Sequence, residues 1–369
     1  MSVSSNKITF NRQNGKEFTK VLQKRINTYF KTYKISKKGN WKLNIKAILM
    51  LILLLAPYIL SLLIHIGGWG HIGLCILMGI GMAGVGMNVM HEGNHEAFSN
   101  KSWLNKLSGA SMYLLAGNVY NWQVQHNVLH HSYTNIYGHD DDLDAGRIIR
   151  FSKHAPWKKI HRYQHLYGVL LYSLLTINWV ITVDFKQSAK YLKQKLAYKK
   201  LPSPIEQWST VIISKILYVL IWIALPVYFI ELPWQQIIIG FVLMHLTAGF
   251  ILSMIFQLAH VMEDTKMPLP EDDGQMKTSW QMHQLFTTCN FGTKNRFLHW
   301  FSGGLNFQIE HHLFPNISHI HYPKIAEIVK QTAEEFKLPY YEYPSMTSAL
   351  ISHFNHLKQL GINPLKVAN

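Results

Sequence analysis

Four apolar runs, at residues 47–66, 69–89, 211–230 and 234–256, fix what this chain can fold into. Each is long enough to cross the hydrocarbon core of a bilayer as a helix. Inside lipid no water satisfies backbone N–H and C=O groups, so a spanning segment must pair its own. The runs are continuous, without the alternation a barrel strand needs, and they read as helices. Gly67-Gly68 and Glu231–Pro233 turn them into two hairpins. The expected fold class is therefore all-α integral membrane, with four transmembrane helices in two hairpins.

Charge placement sets the orientation. Only 15% of residues are charged, yet the formal net charge is +16. Residues 1–46 hold twelve Lys and Arg, whereas none lies between Lys46 and Lys101 or between Lys215 and Lys266. This follows the positive-inside rule, so topology accounts for the basic excess without nucleic acid and both termini are expected in the cytoplasm. Residues 166–183 are apolar but at the lower limit for a span. They read as a membrane-surface helix, since a further crossing would part the histidine clusters described next. Residues 1–46 form a basic N-terminal region in which Phe18, Val21, Leu22, Ile26, Tyr29 and Phe30 make one helical stripe. That stripe would lie either on the membrane surface or against the rest of the protein. A short strand is expected at Lys7–Phe10 and a polar helical tail at 336–369. No cleavable signal peptide is visible, and Cys75 and Cys289 are too far apart in kind of environment to pair.

Twenty-one histidines are present, and three groups of them are patterned. The groups are His91-Glu-Gly-Asn-His95, His126-Asn-Val-Leu-His-His131 and Gln308-Ile-Glu-His-His312. Residues at i and i+4 share a helix face, while i+5 lies roughly 140° further round. His126 and His130 can thus serve one ion and His131 a second. Neutral imidazole is a common ligand for iron, zinc and copper. One His-x-x-x-His pair on a helix is usually incidental. Three groups at the cytoplasmic ends of membrane helices point to a centre of two metals. Carboxylates beside an all-imidazole set would orient ring N–H groups; Glu92, Asp140, Asp141, Asp142 and Glu310 are candidates. His260 follows the last span and His245 lies within it. His65, His71, His319, His321, His353 and His356 read as structural, and His299 is undecided.

These three groups, with Trp122, Ser132-Tyr-Thr-Asn135 and Phe307–Pro315 around them, resemble the histidine boxes of the membrane fatty acid desaturase family. The resemblance covers residues 47–335, and the glutamine heading the third box is similar to front-end desaturases and their bacterial acyl-CoA or acyl-lipid relatives. It implies a mushroom-shaped four-span protein with a cytoplasmic cap. It also implies a non-haem centre of two irons that uses O2 and two electrons to place a double bond in an acyl chain. By match to the boxes, the implied iron ligands are His91, His95, His126, His130, His131, His311 and His312, with His260 as the additional histidine after the last span. Gln308 stands where many relatives carry histidine, as a weak ligand or an outer hydrogen-bond donor.

The haem-binding tetrapeptide His-Pro-Gly-Gly, which marks the cytochrome b5 domain fused to many front-end desaturases, is absent from the sequence. A separate ferredoxin or cytochrome b5 type donor is expected. Lysine-, isoleucine- and asparagine-rich usage suggests a bacterial inner-membrane setting. The boxes alone leave open a lipid hydroxylase with the same centre, and a zinc-dependent membrane lipid hydrolase.

Overall fold

The computed structural model describes residues 8–144, 146 and 148–363. Lys7, the start of the expected strand, and residues 364–369 of the expected tail lie outside the described residues. The chain is mostly helical and divides into two compact units. One comprises Gly39–Val124 and Val169–Met254; the other comprises Met1–Lys38, Gln125–Gly168 and Ile255–Asn369.

Four helices are long and apolar enough to cross a membrane: Trp41–Leu63, Gly67–Asn94, Pro204–Phe229 and Trp234–His260. They are longer than the apolar runs because polar turns join their ends. Asn40 accepts the Lys42 amide, and Ser203 with Glu206 forms a capping box before Pro204. The first helix buries Leu43, Ala47, Met50 and Leu54 and exposes Ile45, Ile48, Leu49 and Ile52. An exposed stripe of that kind suits lipid contact. The first hairpin closes on small residues: a Cβ at Gly81 would come within 2.5 Å of the Leu54 amide nitrogen. Residues 166–183 do not make one straight helix. Lys159–Ser173 and Leu175–Gln194 meet at a 60° bend, and the pair would count as a fifth span only if it crossed as a unit.

Lys215 is the one cation inside the expected spans, and its partner explains it. Its Nζ pairs with Asp184 Oδ2 at 2.5 Å and donates to the carbonyls of Trp179 and Ala116. Asp184 Oδ1 accepts from the Asn118 amide and Asn121 Nδ2, both at 3.2 Å. Removing one member of a buried pair strands the other, at about 3–5 kcal/mol. Lys215→Met is therefore expected to lower thermal stability by that order, and Lys215→Met with Asp184→Leu to recover most of it. Unfolding curves of the detergent-solubilised variants check this.

The other unit is built around the N-terminal helix Lys16–Tyr33. Phe18, Leu22, Ile26 and Phe30 are buried against Phe307, Ile309, Leu313, Ile325 and Val329. The stripe is thus committed to a protein core, and burial contributes about 1.5–3 kcal/mol for each large side chain. Of the two placements open from sequence, packing is the one observed. Arg25 ties the outer edge of the same helix to Glu335 at 2.7 Å. The expected first strand is β1, Thr9–Phe10, which pairs in parallel with β2, Gln275–Met276. A second parallel pair, β3 at Asn290–Phe291 and β4 at Glu342–Tyr343, carries no alternation long enough to show in sequence.

Candidate metal centre

The first box belongs to the unit with the hairpins. A π-helical turn, Gly86–Met90, precedes His91, where i→i+5 bonding re-aims the side chains that follow. The rings of His91 and His95 lie 4.6 Å apart, and each packs edge-on against Trp122. Gly93 explains the middle of the box: a Cβ there would sit 2.4 Å from the Gly109 amide nitrogen. Asn94 donates to the carbonyls of Met90 and Gly109 and accepts from Gln123 Nε2. Glu92 is buried and couples electrostatically to Lys46.

The second and third boxes share the other unit with His260. Gln123–His130 is π-helical, not the α-helix assumed from the spacing. The looser winding brings i+5 back toward i, so His126 lies as near His131 (4.8 Å between ring centroids) as His130 (5.1 Å). The division between His130 and His131 persists. His130, His260 and His312 offer nitrogens within 4.8 Å of one another, and so do His131, His311 and His312. His312 belongs to both sets. The third-box helix, Gln308–Leu313, is entered through Gly303 and Gly304, both at positive φ. A Cβ on Gly304 would meet His319 Cβ at 2.5 Å, which no side chain tolerates.

Five of these rings, those of His126, His130, His260, His311 and His312, are held through Nδ1. His126 Nδ1 donates to Asp142 Oδ2 at 2.6 Å, and His130 Nδ1 to both oxygens of Asp140 at 3.0 Å. His312 Nδ1 donates to Gln284 Oε1 at 2.9 Å, and His260 Nδ1 to the Thr287 carbonyl at 3.4 Å. His311 Nδ1 lies 3.3 Å from the Tyr322 hydroxyl. A proton on Nδ1 leaves a lone pair on Nε2. The Nε2 atoms of His260 and His312 are buried with no hydrogen-bond partner among the described residues, and those of His131 and His311 face each other at 3.1 Å. Gln284 also accepts from Thr134 Oγ1 and donates to the His131 carbonyl, so one amide sets two boxes.

Electrostatics match a cation site. Desolvation, then the neighbouring imidazoles, pushes His312 well below its usual range, which keeps it a neutral donor. Desolvation pushes Asp140 well up, helped by Asp142 and opposed by the amides of Asn135 and Asp142. Desolvation and Asp141 push Asp142 up to about 7. Buried carboxylates short of positive charge beside buried lone pairs are what a bound divalent ion would relieve. The residues present therefore fit a metal centre.

Glu310 does not join these ring contacts. Its oxygens accept from Asn290 Nδ2 at 2.8 Å and the Tyr340 hydroxyl at 3.0 Å, and burial raises it to about 8. It fastens the third-box helix to β3 and the chain before β4. Gln308 is buried, with Oε1 lacking a hydrogen-bond partner among the described residues. His245 is a structural link, with Nε2 2.9 Å from the Tyr218 hydroxyl and Nδ1 2.9 Å from Thr176 Oγ1. Gln284 and Tyr322 carry no metal-ligand spacing, and nothing in the sequence marked them.

The profile of the family described as Fatty acid desaturase matches residues 67–344. Over 99% of this chain and 97% of that protein, the sequence is 32% identical to an sn-1 linoleoyl-lipid 6-desaturase of Arthrospira platensis. A Synechocystis protein of the same description is 31% identical over 97% of this chain and 99% of its own length. An acyl-lipid (8-3)-desaturase of Physcomitrium patens is 32% identical over 96% of this chain and 73% of its own. The chain belongs to the fatty acid desaturase family. It is an oxidoreductase, an O2-dependent desaturase that introduces a double bond into an acyl chain. Desaturation thereby stands over the hydroxylation and hydrolysis that the histidines alone left open.

Proposed function

We propose that this desaturase acts on a fatty acyl chain esterified in a membrane lipid and places the new bond at position 6, through a histidine-held centre of two irons. The pair of imidazole triads that share His312 carries the metal assignment. The near full-length match to two lipid 6-desaturases supports the carrier and the position. The proposed ligands are His126, His130, His131, His260, His311 and His312, with His91 and His95 added on the resemblance of the first box. Gln308 Oε1 is a candidate weak donor. The proposed domain runs over residues 47–335, with its histidine-bearing part cytoplasmic, both termini on that side, and the whole in a bacterial inner membrane. The four helices long and apolar enough to cross and the lysine distribution support that topology.

Bound iron would supply the one-electron steps by which O2, two external electrons and two protons take two hydrogens from adjacent methylenes, leaving two waters. The chain's own residues orient and insulate that chemistry. Asp140, Asp142, Gln284 and the Thr287 carbonyl fix the Nδ1 protons and so direct the Nε2 lone pairs. Burial of all six imidazoles keeps bulk water from the reacting carbons. The electrons are proposed to come from a ferredoxin or cytochrome b5 type donor. Expression with a ferredoxin system in a host that makes linoleoyl lipids, followed by gas chromatography–mass spectrometry, tests the reading. A triene with its new bond at position 6, on lipid before it appears on acyl-CoA, is expected. A bond at another position, or acyl-CoA as the first labelled pool, would overturn the position or the carrier respectively.

A further inference from the structure

A cavity of about 760 Å³ lies within the unit that holds the second and third boxes, and the proposed chemistry makes no use of it. The β1–β2 pairing creates it by laying residues 8–12 beside the start of helix Trp280–Thr287. Phe10, Tyr133 and Trp280 give it an apolar wall, Arg12 and Lys16 stand on that wall, and among the described residues no carboxylate lines it. The volume falls in the range of small-ligand sites. Two features fix its place. Ser132 and Tyr133 follow His131 directly, and the Trp280 indole N–H donates to the His131 carbonyl at 2.9 Å.

That place matters because of where the double bond is proposed to form. At about 1.5 Å per carbon–carbon bond in a zigzag, carbon 6 sits only roughly 6 Å from the ester carbonyl of an extended chain. Whatever carries the acyl group must then lodge close beside the imidazoles. A second cavity of the same unit, about 510 Å³, is unsuited to an anion. Asp140 and Asp144 line it, its Arg150 is spent on the carbonyls of Ala155 and Leu360, and among the described residues Lys158 alone is left to oppose the two carboxylates. In the first cavity both cations are exposed and face no acid in the lining.

We propose that the cavity between β1 and Trp280 is the carrier site, and that it takes a phosphate ester on Arg12 and Lys16 with the adjoining glycerol or apolar portion against Tyr133 and Trp280. This rests on the position-6 acyl-lipid reading, and the source favoured is an anionic phospholipid headgroup. Acyl-CoA would present the same phosphate chemistry.

Calorimetric titration of the full-length, iron-loaded enzyme in detergent separates the sources. The probes are dihexanoyl phosphatidylglycerol, coenzyme A and a short-chain neutral galactolipid, against wild type, Arg12→Gln with Lys16→Gln, and the swap Arg12→Lys with Lys16→Arg. Loss of both charge-assisted contacts is expected to weaken phosphatidylglycerol at least about tenfold and raise KM alike, while the swap restores most of it. The galactolipid should bind all three proteins equally. If only coenzyme A responds to the variants, the phosphate site stands and its source is acyl-CoA. If neither phosphate probe changes by more than about twofold in a double variant with wild-type melting temperature and iron content, the proposal fails. The wild-type product is scored separately. A missing position-6 product sinks the underlying reading, whereas that product with an unresponsive double variant sinks only the carrier site.

Discussion

His312→Ala is expected to remove desaturation altogether, by roughly three orders of magnitude or more, and to empty both metal positions. His312 is the one imidazole common to the two triads, is fully buried, and has an Nε2 that no group among the described residues satisfies. Residues that act as a unit fail together, so deleting a shared donor costs as much as deleting the unit. His260→Ala provides the contrast, because His260 serves only the triad with His130 and His312. It should lower iron content by about half, whereas His312→Ala should leave almost none. Iron per chain by elemental analysis, with the fatty-acid profile beside it, reads the two variants apart. An unfolded protein would show as a lost melting transition; a folded protein that kept both irons after loss of His312 would refute the shared-donor arrangement.

Which parts of this arrangement were legible in the sequence follows from what leaves a period behind. The spans were, because a helix in lipid needs a long unbroken apolar run. Their true ends were not, since Asn40 and Ser203 extend the helices through polar turns. The histidines announced themselves by spacing, yet spacing alone implied an α-helical face. The π-helical winding of Gln123–His130 depends on tertiary packing and changes which rings neighbour His126. Asp140 and Asp142 were visible as an acidic run near the second box. Glu310 looked equivalent by position, but its carboxylate is spent on Asn290 and Tyr340. Gln284 was invisible, because an isolated glutamine in a short helix becomes meaningful only when folding puts it against His312 and the His131 carbonyl. The stripe on Lys16–Tyr33 was legible as amphipathic, but only the structure says that its apolar face meets the third-box region.

Asp140→Asn is expected to cost about 10–100-fold in iron affinity and in activity, the usual range for an outer partner of a metal-bound histidine. The change keeps size and shape and alters only what the atoms offer. As a carboxylate Asp140 presents two acceptors to His130 Nδ1, and it also accepts the amides of Asn135 at 2.9 Å and Asp142 at 3.1 Å. Each oxygen meets both an amide N–H and the ring, so an asparagine in either orientation sets its NH2 against one of those amides and beside Nδ1. Beside the ring, the NH2 favours a lone pair on Nδ1 over the N–H that the carboxylate held there, which moves the ring proton toward Nε2 and blocks the nitrogen that His130 contributes to its triad. The wrong tautomer, not a lost charge, is then the cause, and two comparisons isolate it. Asp140→Glu keeps an acceptor and should retain more iron than Asp140→Asn despite the poorer fit. Asp144→Asn removes a charge from the same acidic run at an exposed position, where among the described residues the carboxylate accepts the Gly146 amide, and should stay within about twofold of wild type. Equal losses for Asp140→Asn and Asp144→Asn would mean that the net charge of the run matters and the hydrogen bond to His130 does not.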